Sequence, residues 1–137
     1  MGDSDETVWN AFYRQLGREA LTRQAPRDDR AYYLSGQREV EAIFGRFLVP
    51  QGGSVLEIGC GDGRMTRTLA TKFTRVYALD AARDVLDACQ NAMQEWKYKH
   101  IQYLHGGVEL LDLLPDHSVD VILSAAVFQH VHRQDTI

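Results

Sequence analysis

The stretch VLEIGCGDGR, residues 55 to 64, constrains this chain more than any other. An apolar run broken only by Glu57 enters a turn with glycines at 59, 61 and 63. Strand, glycine turn and helix in that order commonly cradle phosphate. Two phosphate readings fail on the residues. A P-loop needs Gly-x4-Gly-Lys-Ser/Thr, and no such Lys-Ser or Lys-Thr pair follows this turn. The dinucleotide fingerprint Gly-x-Gly-x-x-Gly fits at Gly59 and Gly61, but its third glycine position holds Arg64, and Gly63 comes one residue early. Glu57 and Asp62 would also repel a pyrophosphate by roughly 1 kcal/mol or more each at ~4 Å. Acids at this mouth suit a cation, such as an ammonium or a sulfonium. Free amides at the following helix start are expected to take a carboxylate of the same ligand.

The rest of the chain supports an α/β reading. Residues 5–21 carry Val8, Trp9, Phe12, Tyr13, Leu16 and Leu21 at helical spacing. Residues 24–31 form a polar break containing a proline. Residues 35–49 place Val40, Ile43, Phe44, Phe47 and Leu48 on one stripe, with Ser35 as the candidate N-cap and Pro50-Gln-Gly-Gly as the stop. The rhythm then changes to alternating strands and helices: strands at 54–59, 75–80, 101–105 and 119–125, with helices at 64–73 and 83–96 between the first three. The tail from residue 126 reads as the first turns of a further helix. Such alternation predicts a parallel sheet with right-handed crossovers and helices on both faces. Ligands in these sheets bind at the carboxyl ends of the strands. Here those ends hold Gly59 to Gly63, Asp80, His105 to Val108, and Ser124.

Asp80 narrows the ligand. It ends the second strand, 21 residues after Gly59, where an acid is placed to accept hydrogen bonds from both ribose hydroxyls. A positively charged nucleoside without phosphate describes S-adenosylmethionine.

VLEIGCGDG resembles the first signature of the class I S-adenosylmethionine-dependent methyltransferases. YALDAARDVLDAC (77–89) resembles their second-strand region, and DHSVDVILSAAVFQHV (116–131) their fourth-strand region with its Gln-His pair. The resemblance covers about residues 36 to 131. It implies a cofactor site in which Glu57 anchors the glycine loop or meets the methionyl ammonium, directly or through water. By the same resemblance, Gly59, Cys60 and Gly61 line the methionyl portion with backbone. Asp80 holds the ribose, Ala81 packs on the adenosine, and Ser124 and Ala125 offer backbone groups near the methionyl end. One position departs from the pattern. Where the family often has an acid reading the adenine amino group, this chain has Gly107, leaving the Val108 amide to contact the ring and Glu109 as a nearby acid.

The implied reaction is methyl transfer to a small-molecule acceptor by in-line displacement at the sulfonium methyl, with no catalytic residue assignable. The resemblance also implies a three-layer Rossmann-like fold with a seven-stranded sheet in the order 3-2-1-4-5-7-6. Four strands are countable before Ile137, so the chain reads as an N-terminal piece of a longer enzyme. Residues 1–35 would form a helical cap segment, with Trp9, Phe12, Tyr13, Tyr32 and Tyr33 as candidate lid residues, and 36–137 the incomplete cofactor domain. The apolar fourth strand would lose its outer neighbour, and the chain is expected to self-associate through that edge.

Bulk properties close off other classes. A formal net charge of −4 argues against a nucleic-acid footprint. No apolar run is long enough to span a membrane, and the acidic, polar start lacks a signal-peptide pattern, so a cytoplasmic setting is expected. Cys60 and Cys89 form neither a metal spacing nor a disulfide framework. His130 and His132, two residues apart, do not share a helical face, so no metal site is expected. Two rivals to the enzyme reading are an inactive cofactor-binding or interaction module and a nicotinamide-dependent oxidoreductase. Arg64 and the two acids disfavour the latter.

Overall fold

The computed structural model describes residues 3–21 and 28–125. Four parallel strands form one sheet: β1 (Gly52–Ile58), β2 (Phe73–Asp80), β3 (Ile101–His105) and β4 (Val121–Ser124). Their order is β3-β2-β1-β4, so the chain leaves β1 in one direction and returns across it to the other side. This order agrees with the first four strands of the arrangement expected above. Val55 sits level with Val76 on one side and with Val121 on the other. Asp80 sits level with His105.

Two helices precede the sheet, α1 (Asp3–Leu16) and α2 (Asp29–Phe47), with a 3-10 turn at Gly17–Ala20 after α1. Helices α3 (Thr66–Lys72) and α4 (Arg83–Glu95) connect the first three strands, and a 3-10 segment, Val108–Leu113, lies between β3 and β4. Side chains alternate across a strand, and that alternation divides the core. Val55, Val76 and Leu123 point to one face, where Val40, Phe44, Met65, Leu69 and Phe73 close over them. Ala78 continues that face under α4, with Leu86, Cys89 and Met93. Leu56, Ile58, Tyr77 and Leu79 point the other way, against Leu104 and the 3-10 segment.

Helix α2 buries Tyr33 and, at a four-residue spacing, Tyr32, Gly36, Val40 and Phe44. At Gly36 the helix crosses the chain so closely that a Cβ would run into the Arg64 carbonyl oxygen. The helix starts earlier than its stripe suggests. Its cap is Asp28, whose carboxylate accepts the Ala31 amide at 3.0 Å. Ser35 is therefore not an N-cap. It lies within α2 and donates its hydroxyl to the Tyr32 carbonyl at 2.6 Å. The acids Asp28 and Asp29, read as part of a polar break, serve the helix start instead. The helix also runs unbroken past residue 35, where the cap segment was expected to end.

Other differences are small. Helix α3 begins at Thr66, and Phe73 has left it for β2, where its ring meets Phe44 edge to face at 5.9 Å. In α1, Val8 and Leu16 are about half exposed, while Trp9 and Tyr13 turn inward. The expected helix after β4, with Gln129, His130 and His132, lies outside the described residues.

Candidate functional site

The glycine turn leaves β1 at its carboxyl end. Gly59, Gly61 and Gly63 all have positive φ, at 76°, 59° and 101°, which lets the chain fold back on itself within five residues. The turn uses its own amides. Gly59 and Cys60 both donate to the Leu79 carbonyl, at 2.8 and 3.0 Å, and Gly63 donates to the Cys60 carbonyl at 3.2 Å. Gly61 donates to Asp80 Oδ2 at 2.9 Å. Four of the donors a phosphate would need are thus consumed by the fold. The Cys60 and Gly61 carbonyls are also engaged within the turn, by the Gly63 amide and the Cys60 thiol.

Asp80 is the second element of the site. One carboxylate oxygen takes the Gly61 amide, and the other takes the Ala82 amide at 2.9 Å. Burial pushes its pKa up, while the Ala82 and Gly61 amides and the nearby His105 pull it back. Asp80 thus links the turn after β1 to the turn after β2, and each oxygen keeps further lone pairs for a hydroxyl.

The two acids of the opening motif have separate surroundings. Glu57 is fully enclosed and accepts the Thr66 hydroxyl at 2.6 Å. Burial drives its carboxyl up to about 8, with the Thr66 bond acting against that shift. Asp62 is buried too, but it accepts the Tyr32 hydroxyl at 2.6 Å and the Tyr13 hydroxyl at 3.3 Å, and pairs with Arg18 Nε at 3.5 Å. Its charge is engaged by the N-terminal segment, not open to a ligand. Burial and then Asp62 push the Tyr13 and Tyr32 hydroxyls well above their ordinary pKa.

The third strand contributes His105, which lies between Arg83 and Glu6. Its Nδ1 is 2.9 Å from an Arg83 guanidinium nitrogen, and its Nε2 is 3.0 Å from Glu6 and 3.1 Å from the Ala81 carbonyl. A guanidinium only donates, so Nδ1 accepts and Nε2 carries the proton.

The sheet runs β3-β2-β1-β4, with a glycine turn after β1 and an acid at the end of β2 that accepts from that turn. The family model described as "Methyltransferase domain" matches residues 55–137. The chain belongs to the class I S-adenosylmethionine-dependent methyltransferase family. Malonyl-[acyl-carrier protein] O-methyltransferase of Serratia marcescens is 35% identical over 117 residues, covering 85% of this chain and 43% of that protein. Phosphoethanolamine N-methyltransferase 1 of Arabidopsis thaliana is 35% identical over 124 residues, covering 89% and 24%. Among solved structures, phosphoethanolamine N-methyltransferase 1 of Haemonchus contortus, held with phosphoethanolamine and S-adenosylhomocysteine, superposes with a TM-score of 0.73 at 19% identity. The match covers 97% of this chain and 27% of that one. The chain spans between 22% and 44% of the length of the curated relatives it matches.

Among the positions the sequence resemblance implies, Glu57, Gly59, Cys60, Gly61, Asp80 and Ala81 gather around the turns after β1 and β2. Gly107 and Val108 follow β3, and Ser124 and Ala125 end β4. Glu109 does not reach outward. It folds back to accept the Gly107 amide at 2.8 Å. The Ser124 hydroxyl is enclosed with no partner among the described residues. The Cys89 thiol beside it, and then burial, push the Cys60 thiol up, which makes it a poor nucleophile at neutral pH. Arg64 turns away from the mouth to Glu39 at 2.6 Å.

Sequence reasoning did not reach the ties made by Arg18, Glu6 and Asn10. Their partners lie up to 99 residues away, and no local pattern marks them. Tyr13 and Tyr32 were flagged as lid residues. The structure adds that both meet at Asp62. No helix among the described residues is long and apolar enough to cross a membrane.

Proposed function

We propose that the chain forms the S-adenosylmethionine-binding half of a methyltransferase acting on a small-molecule acceptor. The observation that carries this reading is Asp80, whose carboxylate takes the Gly61 and Ala82 amides and so stands beside the glycine turn at the ends of β1 and β2. Gly59, Cys60 and Gly61 would line the methionyl portion, and ribose hydroxyls fit Asp80. Ala81, Gly107 and Val108 would flank the adenine, and Ser124 and Ala125 would stand by the methionyl end. The cofactor supplies the electrophilic methyl group. The chain's own residues supply binding and orientation, the term that proximity makes large.

Relatives named for phosphoethanolamine and for malonyl-[acyl-carrier protein] support a small acceptor, with nitrogen or oxygen as the methylated atom. A cytoplasmic setting suits this reading, and nucleic acid is not its acceptor. Calorimetric titration with S-adenosylhomocysteine and, separately, with NAD tests it. Heat with S-adenosylhomocysteine alone is the expected result. Heat with NAD alone overturns it.

A further inference from the structure

We propose that Asp62 is a positioning residue coupling the N-terminal helices to the cofactor loop, so that docking of α1 and cofactor binding reinforce each other. This rests on the cofactor reading above. Asp62 stands between Gly61 and Gly63, in the half of the loop that Asp80 does not hold. Its partners come from three successive N-terminal elements. Tyr13 belongs to α1, Arg18 to the 3-10 turn and Tyr32 to α2. The Arg18 guanidinium also lies 4.0 Å over the Tyr32 ring, which fixes the group as one unit. The loop is thus held from one side by Asp80 and from the other by the N-terminal segment.

From Asp62, α1 continues across the ends of the other strands. Asn10 Oδ1 accepts the Asp84 amide at 3.1 Å, Glu6 accepts the Arg83 amide at 3.4 Å, and Arg14 pairs with Asp84 at 2.5 Å. Helix α4 has Ala82 at its N-cap and no side-chain cap of its own. Helix α1 provides acceptors for its first amides instead. Glu6 reaches on to His105 at the end of β3. The helix therefore roofs the strand ends where adenosine would lie. The ties of α1 to the strand ends described above are polar, and its Val8 and Leu16 are about half exposed. A polar roof opens at lower cost than the apolar core beneath it. A ligand that requires the ordered loop then favours the docked roof, and linkage makes the effect mutual.

Hydrogen exchange of the α1 amides, with and without S-adenosylhomocysteine, tests this alongside calorimetry on wild type, Asp62→Asn, Tyr13→Phe and the double variant. S-adenosylhomocysteine should slow exchange across Asp3–Leu16. Asp62→Asn should speed it there while β1 and β2 stay protected, and should weaken S-adenosylhomocysteine about tenfold. The double variant should be little weaker than Asp62→Asn, since both act through one contact. A general loss of stability would instead raise exchange in the sheet as well. If Asp62→Asn does not fold, Tyr13→Phe carries the same test with a smaller shift. Unchanged affinity in a folded variant, or α1 exchange indifferent to the ligand, overturns the coupling alone. A wild type that binds no S-adenosylhomocysteine overturns the cofactor reading and this proposal with it.

Discussion

Three helices cover one face of the sheet, while a single 3-10 segment meets the other among the described residues. On the helical face, Val40, Val55, Leu69, Val76, Cys89 and Met93 are wholly enclosed. On the opposite face, the partners of Leu56, Ile58, Tyr77 and Leu79 are only partly buried. Leu113 is 77% exposed there and Ile122 58%. The difference decides how the site is supported. Glu57, Cys60 and Gly63 rest on the helical face through Thr66, Cys89 and Met93. The 3-10 segment after β3, with Leu110, Leu111 and Leu114, belongs to the thinner half. Ribose and loop contacts should therefore tolerate little change.

Asp80→Ala breaks the firm side most severely. It removes the acceptor for the Gly61 and Ala82 amides as well as the proposed ribose contact. Loss of charge-assisted bonds of this kind costs about 2–4 kcal/mol, or roughly 30- to 1000-fold in affinity. Calorimetry with S-adenosylhomocysteine reads it directly. An unchanged affinity would show that the ribose sits elsewhere.

Gly63→Ala tests the packing beneath the loop. Its φ of 101° is strained for any side chain, and a Cβ would lie 2.8 Å from Met93 Cε and 3.2 Å from Cys89 Sγ. Met93 Cε is the end of a flexible side chain and can shift, but within a wholly enclosed site, so the backbone strain adds to a local repacking. Strain and overpacking together should cost about 2–4 kcal/mol, a fall of roughly 10 °C in Tm. A loss near zero would mean that α4 is not seated under the loop as described.

Glu57 gives an effect with a definite sign. Its folded pKa, about 8, lies above the ordinary value of 4.5. Between those values the unfolded chain loses the proton and the folded chain keeps it, so stability falls as pH rises. The contribution is fully present below about 4.5 and lost once pH passes about 8. Glu57→Gln cannot ionise and should remove that slope. The Tm difference between variant and wild type should grow in the variant's favour from pH 4.5 to 8 and then level off. A flat difference would show that Glu57 is already charged in the fold.

These regions also differ in how far the sequence exposes them. The strands and the glycine turn are legible because burial on both faces forces continuous apolar runs, and φ above zero selects glycine. Asp80 is legible because its distance from Gly59 is set by one βαβ unit. The fate of Asp62 is not legible. An acid in a glycine turn suggests a cation, and only the fold brings Tyr13, Arg18 and Tyr32 to it. The start of α2 was missed for a related reason. Asp28 reads as part of a polar break until the helix it caps is seen to bury Tyr32.

The open edge gives the mildest test. Strand β4 has four residues and pairs with β1 on one side only among the described residues, with Ile122 turned to solvent. An unpaired strand offers its amides and carbonyls to another strand, and a charge on such a strand discourages the pairing. We propose that two copies of the chain associate through this edge. Wild type should sediment above monomer mass at micromolar concentrations, and Ile122→Lys should shift it toward monomer. The substitution is at an exposed position, so it should change fold stability by no more than about 0.5 kcal/mol. It should leave S-adenosylhomocysteine affinity unaltered, because Ile122 lies on the thin face, away from Asp80 and the glycine turn. A monomeric wild type would remove the association. A loss of affinity in Ile122→Lys would show that the two halves of the sheet are less independent than their unequal cover implies.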